Sequence, residues 1–291
     1  MKSKLTIMLC AACLCLWTGC RPQQTERQGH AKDSVITVSI EPLRYIAERI
    51  VGEDYKVITL VPKGSSPETY EPTPEQMMQL SGSIACFTVG DLGFERTWTG
   101  RLRQAAPGVP FITTADGIER MAGHAHGHSD ETEGDPHVWT SPAHMVTIAH
   151  RICEALCQTD TARAELFKSR LRGVLEEIRA TDDSIRTLLG NASPKAFLIY
   201  HPALTYFAHD YGWTQIAIEK DGKEPSPAQL ADLIRRCKAQ RVRTIFVQQE
   251  FDRRNAELIA RETGTRITVI NPLAYDWAGE LLKIAQTLHA Q

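Results

Sequence analysis

The chain reads as an α/β protein of two lobes, each built on a parallel sheet, joined by one long helix. Three observations predict this. Short β-branched runs alternate with helix-patterned stretches up to residue 159, which implies parallel βα units. The same alternation resumes after residue 191. Between the two sets, Asp160 to Leu189 keeps a helical pattern, with Leu166, Phe167, Leu171, Val174, Leu175, Ile178, Ile185, Leu188 and Leu189 as its stripe and Gly190-Asn191 as its stop. At about 1.5 Å per residue such a helix is roughly 45 Å long, more than one small lobe needs, so it is expected to run past both.

The first lobe is assigned to residues 34–159, the joining helix to 160–190 and the second lobe to 191–291. In the first lobe, strands are predicted over 34–40, 55–61, 84–89 and 110–113, with a helix over 42–51 carrying Leu43, Ile46, Ala47 and Ile50 on one face. Thr73-Pro74-Glu75-Gln76 is a helix start: Thr73 caps, Pro74 takes the first position and Gln76 closes the capping box. In the second lobe, strands are predicted over 196–200, 215–218, 244–247 and 266–270, with helices over 203–210, from Ser226-Pro227-Ala228-Gln229, and over 277–289. No residue-level repeat links the lobes.

Ahead of the first lobe, Met1-Lys2-Ser3-Lys4 is basic and Leu5 to Trp17 is almost wholly apolar, ending in Thr18-Gly19-Cys20. This is the pattern of a signal peptide over 1–19, too short for a stable membrane span. Cys after Gly matches a bacterial lipoprotein processing box, apart from Trp17 where Leu is usual, so Cys20 is expected to carry lipid. Residues 20–33 are polar and aperiodic and read as a tether. Cys86, Cys153, Cys157 and Cys237 remain, in no zinc-ribbon spacing, and Cys86, Cys153 and Cys237 read as small core residues. Cys153 and Cys157 share a helix face, where disulfide geometry is rarely met. Net charge is −2 with acids and bases mixed, so no basic stripe argues for a nucleic-acid partner. After the signal there is no further apolar run long enough to cross a bilayer.

Glu68, His137 and His201 share one layout. Each follows a strand or loop, adjoins a proline and precedes a helix start: Pro67-Glu68, Pro136-His137 and His201-Pro202. Each alone also reads as structural, His137 as a turn histidine. Ligands of open α/β sheets bind beyond the carboxyl ends of strands, which brings Glu68 and His201 towards one place between the lobes. Imidazole and carboxylate donors suit zinc or manganese. Before His137, the loop 123–134 holds His124, His126 and His128, then Asp130, Glu131 and Glu133. It reads either as an accessory loop that binds zinc weakly or as a solvated loop. His144 and His150 read as helix-surface or packed residues, and His209 as structural.

Three motifs carry a resemblance. They are Pro67-Glu68-Thr69-Tyr70-Glu71-Pro72-Thr73-Pro74, Asp135-Pro136-His137-Val138-Trp139-Thr140-Ser141-Pro142, and Tyr200-His201-Pro202-Ala203-Leu204-Thr205-Tyr206-Phe207-Ala208-His209-Asp210-Tyr211-Gly212. In order and spacing the chain from about Ser34 onwards resembles the zinc/manganese solute-binding proteins of ABC transporters. The resemblance implies two Rossmann-like lobes, a rigid linking helix and one metal ion between the lobes. It also implies a binding protein rather than an enzyme, delivering its ion to a membrane permease. His137 and His201 fall on the family's histidine positions, and Glu68 replaces its first histidine. Ile270-Asn271-Pro272-Leu273 resembles the family's Asp-Pro-Leu, whose Asp is often the fourth ligand; here Asn271 lacks the carboxylate, and the fourth position is left to nearby Asp276, to Asn271 itself or to water. Glu250 reads as a weaker candidate, a surface or hinge carboxylate.

The expected function is therefore extracytoplasmic capture of zinc for an ABC permease, by a monomer anchored through Cys20 on the periplasmic side of a bacterial envelope. Manganese or iron uptake is the alternative, because Glu68 moves the donor set towards oxygen. A metal-dependent hydrolase would need a motif such as His-Glu-x-x-His, which the sequence lacks. A surface adhesin is neither supported nor opposed.

Overall fold

The computed structural model describes residues 34–122, 134–193, 195–219 and 222–290. The expected signal, the tether with Cys20, and His124, His126 and His128 lie outside the described residues.

Two four-stranded sheets form the frame. Strands β1 (Val35–Val38), β2 (Lys56–Thr59), β3 (Ser83–Thr88) and β4 (Phe111–Thr113) pair in the order β2-β1-β3-β4, all parallel. Strands β5 (Ala196–Ile199), β6 (Thr214–Ala217), β7 (Thr244–Gln248) and β8 (Arg266–Ile270) pair in the order β6-β5-β7-β8, again parallel. Counted from each lobe's own first strand, the two orders are the same. The lobes thus repeat in topology without repeating in sequence. In each sheet the order reverses between the first and third strands, where open α/β sheets hold their ligands.

The helices are α1 (Glu41–Val51), α2 (Pro74–Ser81), α3 (Gly93–Ala105), α4 (Pro142–Thr159), α5 (Ala164–Leu189), α6 (Thr205–Asp210), α7 (Pro227–Ala239), α8 (Arg254–Thr263) and α9 (Trp277–His289). Local chemistry explains several starts. Thr73 and Gln76 form a reciprocal capping box at α2, and Ser226 and Gln229 do the same at α7, each with Pro in the first turn. The long helical pattern begins four residues later than expected, at Ala164. Asp160 breaks it: its backbone leaves helical geometry, its N–H ends α4, and its carboxylate accepts from Arg163 N–H, closing one 3-10 turn. Helix α3 was not legible because its buried face mixes Phe94 and Leu102 with Glu95, which blurs the apolar stripe. The Glu95 carboxylate takes the backbone N–H groups of Val89, Gly90 and Leu92.

Alternation along β5 divides the second lobe's interior. Phe197 and Ile199 join a core shared with the first lobe, α5 and α9, whereas Ala196 and Leu198 join a smaller cluster under α7 and α8. Helix α5 packs on α1 and α4 on one side and on α9 on the other. It does not hold the lobes alone. Tyr45 of α1 meets Tyr275 and Trp277 edge-on or tilted, with ring centroids 5.7 and 6.2 Å away. Trp277 donates its indole N–H to the carbonyl of Trp139 at 2.7 Å, and Trp139 donates to the carbonyl of Pro272 at 2.8 Å. These bonds satisfy two buried indoles and tie the His137 segment to the second lobe.

Candidate metal centre

The cleft between the lobes is lined by Pro67, Glu68, His137 and Trp139 from the first and His201, Gln248, Glu250 and Phe251 from the second, among others. Glu68, His137 and His201 each bring one donor atom within 4.8 Å of the other two. Three segments distant in sequence meet here because each lies beyond strand ends that the sheets align: Glu68 after β2, His137 after β4 and His201 after β5.

His137 is buried at the mouth of a 3-10 turn, Val138–Thr140, which Ser141 separates from α4. Its segment is pinned from two sides. Gly134 pairs with Ala122 in an antiparallel bridge, and a Cβ at Gly134 would lie 2.2 Å from Arg120 Cβ, so the approach requires glycine. Tyr206 of α6 donates its hydroxyl to the Asp135 carbonyl at 2.7 Å. The Asp135 carboxylate folds back to accept His137 N–H and to meet His137 Nδ1, both at 2.8 Å.

His201 is held the same way by different residues. Its Nδ1 lies 2.6 Å from the Glu219 carboxylate, at the end of the strand beside β5. The Gln248 amide clasps its backbone, accepting from His201 N–H at 3.3 Å and donating to its carbonyl at 2.6 Å. Phe251 stacks on its ring, centroids 5.4 Å apart and planes 12° from parallel.

With each Nδ1 directed at a carboxylate, each Nε2 is left facing the cleft, and the two Nε2 atoms stand 3.2 Å apart. Neutral imidazoles that donate from Nδ1 present lone pairs at Nε2. Two lone pairs at this distance repel unless a proton or a metal ion lies between or beside them. Nitrogens sharing one tetrahedral zinc stand about 3.3 Å apart, given Zn–N bonds of about 2.0–2.1 Å. Carboxylates behind metal-binding imidazoles fix tautomer and orientation and raise basicity. Burial opposes a charge on His137, but Asp135 beside it, with Glu68 and Glu219 nearby, outweighs burial and raises its pKa above the ordinary histidine value. Burial likewise pushes the Asp135 carboxyl up, and the His137 charge and hydrogen bonds overcome this, holding it at about 2.

Glu68 supplies the third donor. Its loop docks on the start of α3: Phe94 N–H donates to the Pro67 carbonyl at 2.9 Å, and a Cβ at Gly93 would lie 2.3 Å from the Glu68 carbonyl. One Glu68 oxygen, Oε1, is buried with no hydrogen-bond partner. An orphaned carboxylate oxygen beside two imidazole nitrogens is what a bound cation would satisfy.

Asp276 stands apart from this group. It is exposed, and its carboxylate caps α9, accepting from Gly279 N–H at 3.0 Å. The cap geometry that starts α9 turns this side chain away from the cleft. Asn271 is also engaged elsewhere, accepting from Leu273 N–H at 3.1 Å and lining a neighbouring cleft with Glu41, Lys63 and Glu250. Asp135 has one sequence signal for its role behind His137, its place two residues ahead of it. Glu219 ends an apolar strand as a buried acid, and only strand pairing shows that it faces His201. Burial raises the Glu250 carboxyl, opposed first by a hydrogen bond from its own backbone N–H and then by the nearby His201.

Comparison with known proteins agrees with this architecture. The profile of the family described as "Zinc-uptake complex component A periplasmic" matches residues 36–288. The zinc-binding lipoprotein AdcA of Streptococcus pneumoniae is 27% identical over 282 residues, covering 93% of this chain and 55% of that protein. The zinc-binding protein AdcA of Streptococcus pyogenes is 26% identical over 296 residues, covering 94% and 56%. The chain thus spans about half the length of these curated relatives. A crystal structure of ZnuA superposes with a TM-score of 0.83 at 33% identity, covering 88% of this chain and 98% of that one. A manganese-bound periplasmic metal-binding protein from Candidatus Liberibacter asiaticus has a TM-score of 0.76 at 22% identity over 88% and 99%, a likeness of fold alone. The chain belongs to the family of the periplasmic component A of zinc-uptake complexes.

Proposed function

We propose that this protein captures zinc outside the cytoplasmic membrane and hands it to an ABC permease. One observation carries the reading: the Nε2 atoms of His137 and His201 converge at 3.2 Å while a buried carboxylate holds each ring from behind. Glu68 completes the first three donors. AdcA is named for zinc binding, and a ZnuA deletion mutant 33% identical to this chain was solved with zinc bound. In this reading the protein works by binding and release, without catalysis. It acts as a monomer anchored through lipid at Cys20, and the loop with His124, His126 and His128 raises local zinc. The domain limits are 34–159, 160–190 and 191–291.

Titration of the purified chain with zinc in the presence of a competing chelator tests the reading. One ion per chain is expected, with binding abolished in His201→Ala. Equal binding by His201→Ala would overturn it.

Manganese remains the second reading, favoured by the Glu68 carboxylate where a third imidazole would make the set nitrogen-rich. Competition between the two ions on the wild-type chain separates them.

A further inference from the structure

The three donors leave an ion short of the four that a closed site uses. Two of them, Glu68 and His137, come from the first lobe, and the second contributes His201 alone. Asp276 caps α9 and Asn271 serves Leu273, so neither is aimed at the cleft. Among the described residues one further carboxylate lines it, that of Glu250.

We propose that Glu250 is the fourth donor, swinging from the second lobe onto the ion held by Glu68, His137 and His201. The proposal rests on the reading of this cleft as a metal site. Glu250 sits in a turn closed by Phe251 N–H on the Gln248 carbonyl at 3.2 Å, immediately after β7. It therefore projects where the sheet order reverses between β5 and β7, the same place from which His201 emerges after β5. Both ends of the turn are already fastened to His201: Gln248 clasps its backbone and Phe251 stacks on its ring. The turn is thus registered to one metal donor, and a change of side-chain rotamer is the movement required.

Glu250 also lines the adjacent cleft with Glu41, Lys63 and Asn271. It stands on the wall between two cavities and has a place on either side. Its carboxylate is not within the 4.8 Å group, so coordination requires it to move from the second position to the first. Loading would then add a bond from the second lobe, and the filled protein would differ from the empty one at a turn on the rim of the cleft.

The test compares wild type, Glu250→Gln and Glu250→Ala by chelator competition for zinc and by visible absorption of the Co²⁺-loaded proteins, with unfolding of the metal-free forms as a control for the fold. Zinc affinity roughly tenfold or more below wild type, with a changed Co²⁺ spectrum and unchanged metal-free stability, is the expected result. Unchanged affinity overturns the proposal, as does weaker affinity with an unchanged spectrum, because a ligand cannot leave without altering the ligand field. If wild type itself binds neither ion, the metal-site reading fails, a result distinct from tight wild-type binding that ignores Glu250.

Discussion

His137 and His201 come from opposite lobes, yet their Nε2 atoms lie 3.2 Å apart with ring centroids separated by 5.0 Å. Each ring is oriented by a carboxylate that no shared segment supplies, Asp135 for one and Glu219 for the other. The convergence is built twice, independently.

Binding of zinc should stabilise the folded chain. At a free concentration about 100 times Kd the gain is about 2.7 kcal/mol. Thermal unfolding with and without zinc should show this rise in wild type and lose it in His137→Ala and His201→Ala.

The carboxylates behind the rings should matter almost as much. Asp135→Asn and Glu219→Gln each replace the charged acceptor behind an imidazole with a neutral amide, which lowers the ring's basicity and no longer fixes its tautomer, so zinc affinity should fall roughly 10- to 100-fold. Chelator competition measures this, and circular dichroism should show the fold retained.

The empty and loaded proteins should respond to pH in opposite directions around His137. Its folded pKa is raised by Asp135 against burial. Its protonated form therefore contributes stability that is full below the unfolded value of about 6.5 and is lost as pH rises through the higher folded value. Zinc requires the unprotonated ring, so zinc affinity should instead climb with pH across the same window. Denaturant unfolding of the metal-free protein and zinc titration, each from pH 6 to 8, should give slopes of opposite sign for this contribution, and His137→Ala should remove its part from both.

Gly93 should control Glu68 from a distance. Gly93→Ala places a methyl 2.3 Å from the Glu68 carbonyl and 2.8 Å from its carboxylate. The loop must shift, and zinc affinity should drop about tenfold although no donor is changed. Glu68→His, by contrast, should raise preference for zinc over manganese, since imidazole suits zinc and carboxylate suits manganese. Competition titrations with both ions check the pair.

Trp139→Phe should weaken the tie between lobes. It deletes the indole N–H that satisfies the Pro272 carbonyl and leaves that buried acceptor unpaired, a cost of about 2 kcal/mol. Urea unfolding measures it.

Much of the fold was legible locally. The strand runs, the capping boxes at Thr73 and Ser226, and the stripe of α5 depend on residues within one or two turns of each other, so sequence order carries them. Helix α3 was hidden because its buried face carries Glu95, held by the backbone N–H groups of Val89, Gly90 and Leu92 just ahead of the helix, and this breaks the apolar stripe. The start of α5 moved to Ala164 because the Asp160 side chain competes with helical geometry. Glu68, His137 and His201 stood out by their prolines and strand ends; Asp276 was named only for lying near Asn271, and its carboxylate caps α9.

By itself, then, the sequence determined the α/β class, the two runs of strands and helices, and which side chains have metal-binding chemistry. Tertiary structure alone decided which of them meet. Strand pairing sets β6 beside β5 and so brings Glu219 behind His201. The packing of α9, with the indole hydrogen bonds from Trp139 to Pro272 and from Trp277 to Trp139, sets the distance across the cleft. The physical reason is range: propensity and capping act within a few residues, whereas a coordination site is a distance between residues 64 positions apart, as His137 and His201 are.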